Sequence, residues 1–302
     1  MSPDAGERGA CLVCGQVQDA QAVCAIREVE RGERFTLTRC GGCGVLRTAP
    51  VPADLRPYYD AELGGLMRSS GSGLHARLKR VWLARELRRV LRAVTPSGFV
   101  DIGAGAGEFA RVIHEAGFSV TTLDAGGAPV ETRGDADIPH VRMDYSAPGV
   151  PETVELGGRV AVLRHVLEHL ADPVAMLEEL RRRGAAGVYL VVPNAGSLER
   201  RLLGRAWYLW DPPRHLWHFT PATLRLVVVR AGFSIVASGL DTIPNLLPSL
   251  YRRLRLAGAP SWLTAPCRPK SALTALSAPL NFLLPGNVCW AVATPAGPEA
   301  AA

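Results

Sequence analysis

The sequence predicts an α/β fold, a doubly wound parallel sheet preceded by a small cysteine-held ribbon. Three observations carry the prediction. From residue 99 to residue 192, short apolar runs alternate with stretches of helical period, the order that builds parallel strands joined by crossover helices. The stretch FVDIGAGAGEF sets three alternating glycines, Gly103, Gly105 and Gly107, directly behind the first of those runs. Ahead of them stand two Cys-x-x-Cys pairs, Cys11 with Cys14 and Cys40 with Cys43. At 302 residues, 48% hydrophobic and 21% charged, the chain can fill one large core and an appendage, which excludes a disordered class.

The cysteine pairs come first along the chain. Two thiolates three residues apart grip one tetrahedral ion, and the glycine after each pair, Gly15 and Gly44, tolerates the tight turn that aims backbone N–H groups at sulfur. Four cysteines fill every ligand position, so the expected ion is a structural zinc, with two redox pairs or unlinked thiols as the alternative. Residues 22–40 read as strands turning at Arg31 and Gly32, and the ribbon is expected over 1–50. Cys24, Cys267 and Cys289 are left as core thiols. Residues 51–95 are a connector: a Pro-, Gly- and Ser-rich segment with a short helix near Tyr58 and Tyr59, then a helix over 74–94. In that helix Leu74, Leu78, Val81, Trp82, Leu87, Val90, Leu91 and Val94 recur at helical period and should face a core, with arginines facing solvent.

The third region, 96–302, carries the alternation: strands at 99–102, 119–123, 140–143, 160–163 and 187–192, helices at 108–116 and 173–183. Ligands of such sheets bind at the carboxyl ends of the strands. A dinucleotide loop reads G-x-G-x-x-G, whereas here the third dinucleotide glycine is replaced by Glu108, at the helix start where a pyrophosphate would sit. Asp101 flanks the same loop. Carboxylates there suit a ligand with a sulfonium and an ammonium and no phosphate. Asp124, at the tip of the second strand, can accept from ribose hydroxyls, and Asp144, after the third, from an adenine amino group. In that order they describe S-adenosylmethionine, and the sheet is Rossmann-like.

With HVLEHLADP at 165–173, VPNAGS at 192–197 and WYLWDPPRHLWHFTPATLRLVVVRAGF at 207–233, the chain resembles the class I S-adenosylmethionine-dependent methyltransferases over residues 99–239. The resemblance implies that Asp101 and Gly103, Gly105 and Gly107 hold the methionine end of the cofactor, Asp124 its ribose and Asp144 its adenine. It departs from the family at Gly158-Arg159-Val160, where relatives carry an aspartate, and in the shortened helix after Asp124.

Methyl transfer needs alignment of acceptor, methyl and sulfur, and an oxygen acceptor needs a base. His215, presented behind Pro212 and Pro213, is the first candidate and His169 the second; His165 and His218 lie in the same blocks. Glu168 and His169 with a nearby acid are an alternative divalent-cation set. Trp207, Tyr208, Trp210, Trp217 and Phe219 beside Arg200, Arg201, Arg205 and Arg214 read either as a stacking and anion-clamping acceptor site or as an aromatic core under a lid. The expected acceptor is a small molecule methylated on oxygen or carbon: a sugar, a natural product or, as the resemblance to zinc-ribbon relatives implies, a nucleotide-linked sugar, with lid insertions near 196–218 and 241–286. The latter, rich in Leu and Pro, also suits peripheral membrane contact. The net charge of +6 is arginine spread along the chain, with Lys79 and Lys270 the only lysines, which disfavours nucleic acid. An RNA methyltransferase and a non-catalytic binding module are the alternatives. No apolar leader or spanning run is visible, and a cytoplasmic protein is expected.

Overall fold

The computed structural model describes residues 10–17, 20–29, 31–59, 74–125, 138–143, 149–259 and 284–297. They fall into two compact units. One comprises 1–66, 193–226 and 240–289; the other comprises 67–192, 227–239 and 290–302.

The second unit holds the expected parallel sheet. Its strands are β4 (Phe99–Ile102), β5 (Val120–Asp124), β6 (His140–Arg142), β7 (Val160–Arg164), β8 (Gly187–Pro193), β10 (Phe233–Asp241) and β11 (Val288–Pro295), in spatial order β10-β11-β8-β7-β4-β5-β6. β4 pairs in parallel with both β5 and β7, β5 with β6, and β7 with β8. β11 runs against β8: Gly187 faces Ala293, while at the other end the N–H of Asn194 donates to the carbonyl of Asn287. Strands covered on both faces need apolar side chains, and β4, β7 and β8 supply them at most positions: Phe99, Val100, Ile102, Val160, Val162, Leu163, Val188 and Leu190 are fully buried, with Asp101 in β4 and Arg164 at the end of β7 as exceptions.

Helices α1 (Leu74–Ala93), α2 (Glu108–Glu115) and α3 (Pro173–Arg182) belong to the same unit. The Asp-Pro of the HVLEHLADP block explains where α3 starts. Asp172 accepts from the N–H groups of Val174 and Ala175 at 3.0 and 2.9 Å, and Pro173 occupies the first turn, where no N–H is needed. In α1 the predicted face is corrected in part. Leu87 and Val90 are buried, but Leu78 and Val81 are exposed, and Leu83, which the periodicity did not single out, is buried. The early turns of α1 meet α2 through charge instead, Lys79 pairing with Glu108 and Arg80 with Glu115, which leaves Leu78 and Val81 outward.

The first unit is built on a four-stranded sheet, β1 (Gln21–Arg27), β2 (Arg34–Arg39), β3 (Leu46–Ala49) and β9 (Trp217–His218), in that order. β1 and β2 form the expected hairpin, with Gly32 at φ 73° in its turn. The sheet does not end with the ribbon. β9, from the block behind Pro213, joins antiparallel to β3, with Leu46 opposite His218 and Arg47 opposite Trp217. Ile26, Phe35, Leu37 and Leu46 pack in one core with Ala195, Trp207, Leu209 and Trp210. Helices α4 (Leu198–Leu203), α5 (Pro221–Arg230), whose last residues belong to the other unit, and α6 (Leu246–Leu256) follow along the chain, and the expected short helix near Tyr58 and Tyr59 is present at 56–59. No helix among the described residues is long and apolar enough to cross a membrane.

Candidate functional site

The glycine loop follows β4 at its carboxyl end. Gly103, Gly105 and Gly107 have φ of 73°, 54° and 67°, left-handed values that a side chain disfavours. Gly107 serves as N-cap of α2 without a side chain, and Glu108, the first helical residue, is ion-paired to Lys79. The N–H of Gly105 donates to Asp124 Oδ2 at 2.7 Å, so the acid expected at the ribose is tied to the loop expected at the methionine. Asp144, expected at the adenine, lies outside the described residues.

Asp101 lies within β4, is 3% exposed, and its Oδ2 has no hydrogen-bond partner. Burial pushes its carboxyl up to about 7; Arg164 opposes the shift, Asp124 and Glu86 add to it, and the N–H of Ala110 opposes it again. This orphaned acceptor fits the cationic end of S-adenosylmethionine, whose ammonium is a donor of the right sign.

Sequence reading did not find what surrounds Asp101. Arg164, the last residue of β7, gives Nε and Nη2 to Glu86 of α1 at 2.8 and 3.3 Å, and Tyr189 of β8 donates its hydroxyl to the same carboxylate at 3.0 Å. The guanidinium also lies over the rings of Phe109 and Trp82, at 5.0 and 5.8 Å. One residue on, His165 has φ 57°, a strained value for a non-glycine residue at a strand end, and its Nδ1 is 3.5 Å from Glu168 Oε1. His169 ends the short 3₁₀ turn Leu167–His169, half-buried.

In the first unit the four predicted cysteines converge, with ligand atoms all within 4.8 Å of one another. Cys11 Sγ is 3.8 Å from Cys43 Sγ, and Cys14 Sγ is 3.7 Å from Cys40 Sγ. Four sulfurs about 2.3 Å from one zinc ion stand about 3.8 Å apart along a tetrahedral edge, so the donor set fits a structural zinc. Gly15 and Gly44 have φ of 75° and 76°. At Cys40 burial disfavours the thiolate, but the N–H groups of Cys43 and Gly42 and the neighbouring thiols outweigh it and bring the group to about 7. Burial pushes Cys43 and Cys11 up.

His215 sits in the same unit, 7% exposed. Its Nδ1 is 2.8 Å from the carbonyl of Leu209, which can only accept, so the proton of the neutral ring is on Nδ1 and the lone pair on Nε2. Nε2 is 3.7 Å from Asp211 Oδ2, and Asp211 Oδ1 accepts from Arg214 at 2.7 Å. The aromatic block resolves towards the core reading: Trp207, Trp210, Trp217 and Phe219 are all buried. Of the arginines beside it, Arg200 donates to the carbonyl of Ala195, and Arg201 and Arg205 are exposed.

A family model described as a methyltransferase domain matches residues 74–238, more than half of the chain. No curated protein matches the sequence significantly. Among solved structures, an S-adenosylmethionine-dependent methyltransferase of Archaeoglobus fulgidus is 18% identical, the match covering 72% of this chain and 94% of that one at a TM-score of 0.44. One from Mesorhizobium loti is 20% identical over 70% and 96%, at 0.45. The 1,6-didemethyltoxoflavin N1-methyltransferase of Burkholderia thailandensis is 16% identical over 87% and 96%, at 0.46.

Proposed function

The chain belongs to the methyltransferase-domain family, and from that premise we propose that it methylates a small-molecule acceptor, with His215 as the base. Its methyl donor is S-adenosylmethionine, which supplies an electrophilic methyl group on a sulfonium. In this reading Asp101 and the Gly103, Gly105 and Gly107 loop hold the methionine end, and Asp124 and Asp144 the nucleoside. The buried Asp101 accepts from the ammonium.

The observation that carries the base assignment is the arrangement of His215. The carbonyl of Leu209 fixes the Nδ1–H tautomer, which puts the lone pair on Nε2. Asp211 Oδ2 stands 3.7 Å from that nitrogen, in the path of a proton taken from the acceptor. A sugar hydroxyl, or the acidic carbon of a keto sugar, is the acceptor class this base serves, with or without a linked nucleotide. His169 is the second candidate.

The test uses isotopically methyl-labelled S-adenosylmethionine with the small-molecule fraction of a cell extract, read by mass spectrometry. Label enters a small molecule, and His215→Ala lowers turnover about 10²- to 10⁴-fold with S-adenosylhomocysteine affinity unchanged. Full activity in that variant passes the role to His169 or to the substrate. Label found only in RNA overturns the small-molecule reading.

A further inference from the structure

Thr48, on β3 of the ribbon, is fully buried, and its hydroxyl reaches a residue 167 positions further along the chain. Oγ1 donates to the carbonyl of His215 at 2.8 Å. With its one proton engaged there, the hydroxyl can only accept from the ring of His218, whose Nε2 is 2.9 Å away. His218 therefore carries its proton on Nε2, and its buried Nδ1 has no partner. Burial, helped by nearby His215 and opposed by Asp211, keeps this ring neutral. The backbone of Thr48 adds a third link, its N–H donating to the carbonyl of Leu216 at 3.0 Å. One ribbon residue thus binds the peptide of His215, the peptide after it and the ring three residues on.

We propose that Thr48 is a positioning residue for His215, so that the ribbon built on the four cysteines sets the orientation of the base. A valine would fill the same volume and keep the strand bonds; the hydroxyl is what holds the peptide of His215 and the tautomer of His218. His215 is pinned from two sides, its carbonyl by Thr48 and its Nδ1 by the carbonyl of Leu209. Leu209 packs in the core that the ribbon strands share. The inference rests on the reading of His215 as the base.

Thr48→Val and Thr48→Ser in the full, zinc-loaded chain test it. Histidine-ring ¹⁵N NMR needs no acceptor and reads tautomers directly; label transfer from S-adenosylmethionine into the small-molecule extract fraction reads the rate. The wild-type chain shows His218 as the Nε2–H tautomer alone, and a predominant Nδ1–H form overturns the proposal before any variant is made. In Thr48→Val the tautomers of His218 become mixed and transfer slows about 10- to 100-fold, as a misplaced catalytic group does. S-adenosylhomocysteine affinity and zinc content stay unchanged. Thr48→Ser restores both tautomer and rate; equal loss in the serine and valine variants makes the residue a packing element and overturns the proposal. Unchanged rate and tautomer in Thr48→Val, where His215→Ala is inactive, remove this proposal alone. Full activity in His215→Ala removes the base assignment and leaves the tautomer result standing.

Discussion

Two carboxylates, one in each unit, are buried to nearly the same depth and treated in opposite ways. Glu199, in the first turn of α4, is 1% exposed and its charge is met from inside: Asn287 Nδ2 donates at 2.6 Å and Ser249 Oγ at 3.3 Å. Burial raises its pKa, while Asn287, Ser249 and Trp207 hold it down. Asp101, 3% exposed, keeps an oxygen with no partner. A buried acid closed by its own chain is a joint in the fold; one left open, in the function proposed for Asp101, takes the missing donor from a ligand. The cysteine cluster is a third case of the open kind, four acids crowded together with the compensating charge to come from outside.

The largest effect should come at that cluster. The purified chain carries one zinc, and Cys11→Ser or prolonged chelation unfolds the ribbon, because metal binding and folding there are one equilibrium worth about 10 kcal/mol or more. Metal analysis with circular dichroism checks this, and a folded, metal-free ribbon would break the open class at its strongest member. Next is Asp101→Asn, which should weaken S-adenosylhomocysteine by about 1.5–3 kcal/mol, roughly 10- to 150-fold, without lowering stability at pH 8. Calorimetry with a parallel unfolding curve reads both. Glu199→Gln should do the reverse: its amide faces the Asn287 donor, costing about 1–3 kcal/mol of stability while ligand affinity holds. If both variants lose stability alone, the distinction between the two carboxylates fails.

A slope with pH tests the same carboxylate in the wild-type chain. Asp101 releases its proton near pH 4 when unfolded, but near 7 when folded. Between those values the folded chain holds a proton the unfolded chain has lost, so Asp101's contribution to stability falls as pH rises and levels off above 7. The slope is at most about 1.4 kcal/mol per pH unit. Urea unfolding of the wild type should show it, and Asp101→Asn should flatten it.

What the sequence disclosed follows the range of the interactions. The glycine loop, the Cys-x-x-Cys pairs and the Asp-Pro start of α3 are local, each written within a few residues, and the structure places all of them. The Arg164–Glu86 pair spans 78 positions, and the Thr48–His218 bond 170. Neither has a local signature, since a lone arginine at a strand end and a threonine in a strand are ordinary residues. The role of β9 was hidden for a related reason: two residues, Trp217 and His218, make a strand only where β3 offers its edge. The aromatic run stayed ambiguous until burial separated core from surface.

That borrowed edge bears on how such chains can be taken apart and recombined. A ribbon attached through a connector invites exchange between relatives as a self-contained cassette, or trimming to give a smaller enzyme. Here the cut would remove β1, β2 and β3 and leave Trp207 and Trp210 facing water beside an unpaired strand, the kind of surface on which chains stick to one another. A chimera that avoids this exposure must transplant residues 207–218 together with the cysteines, as one inherited piece.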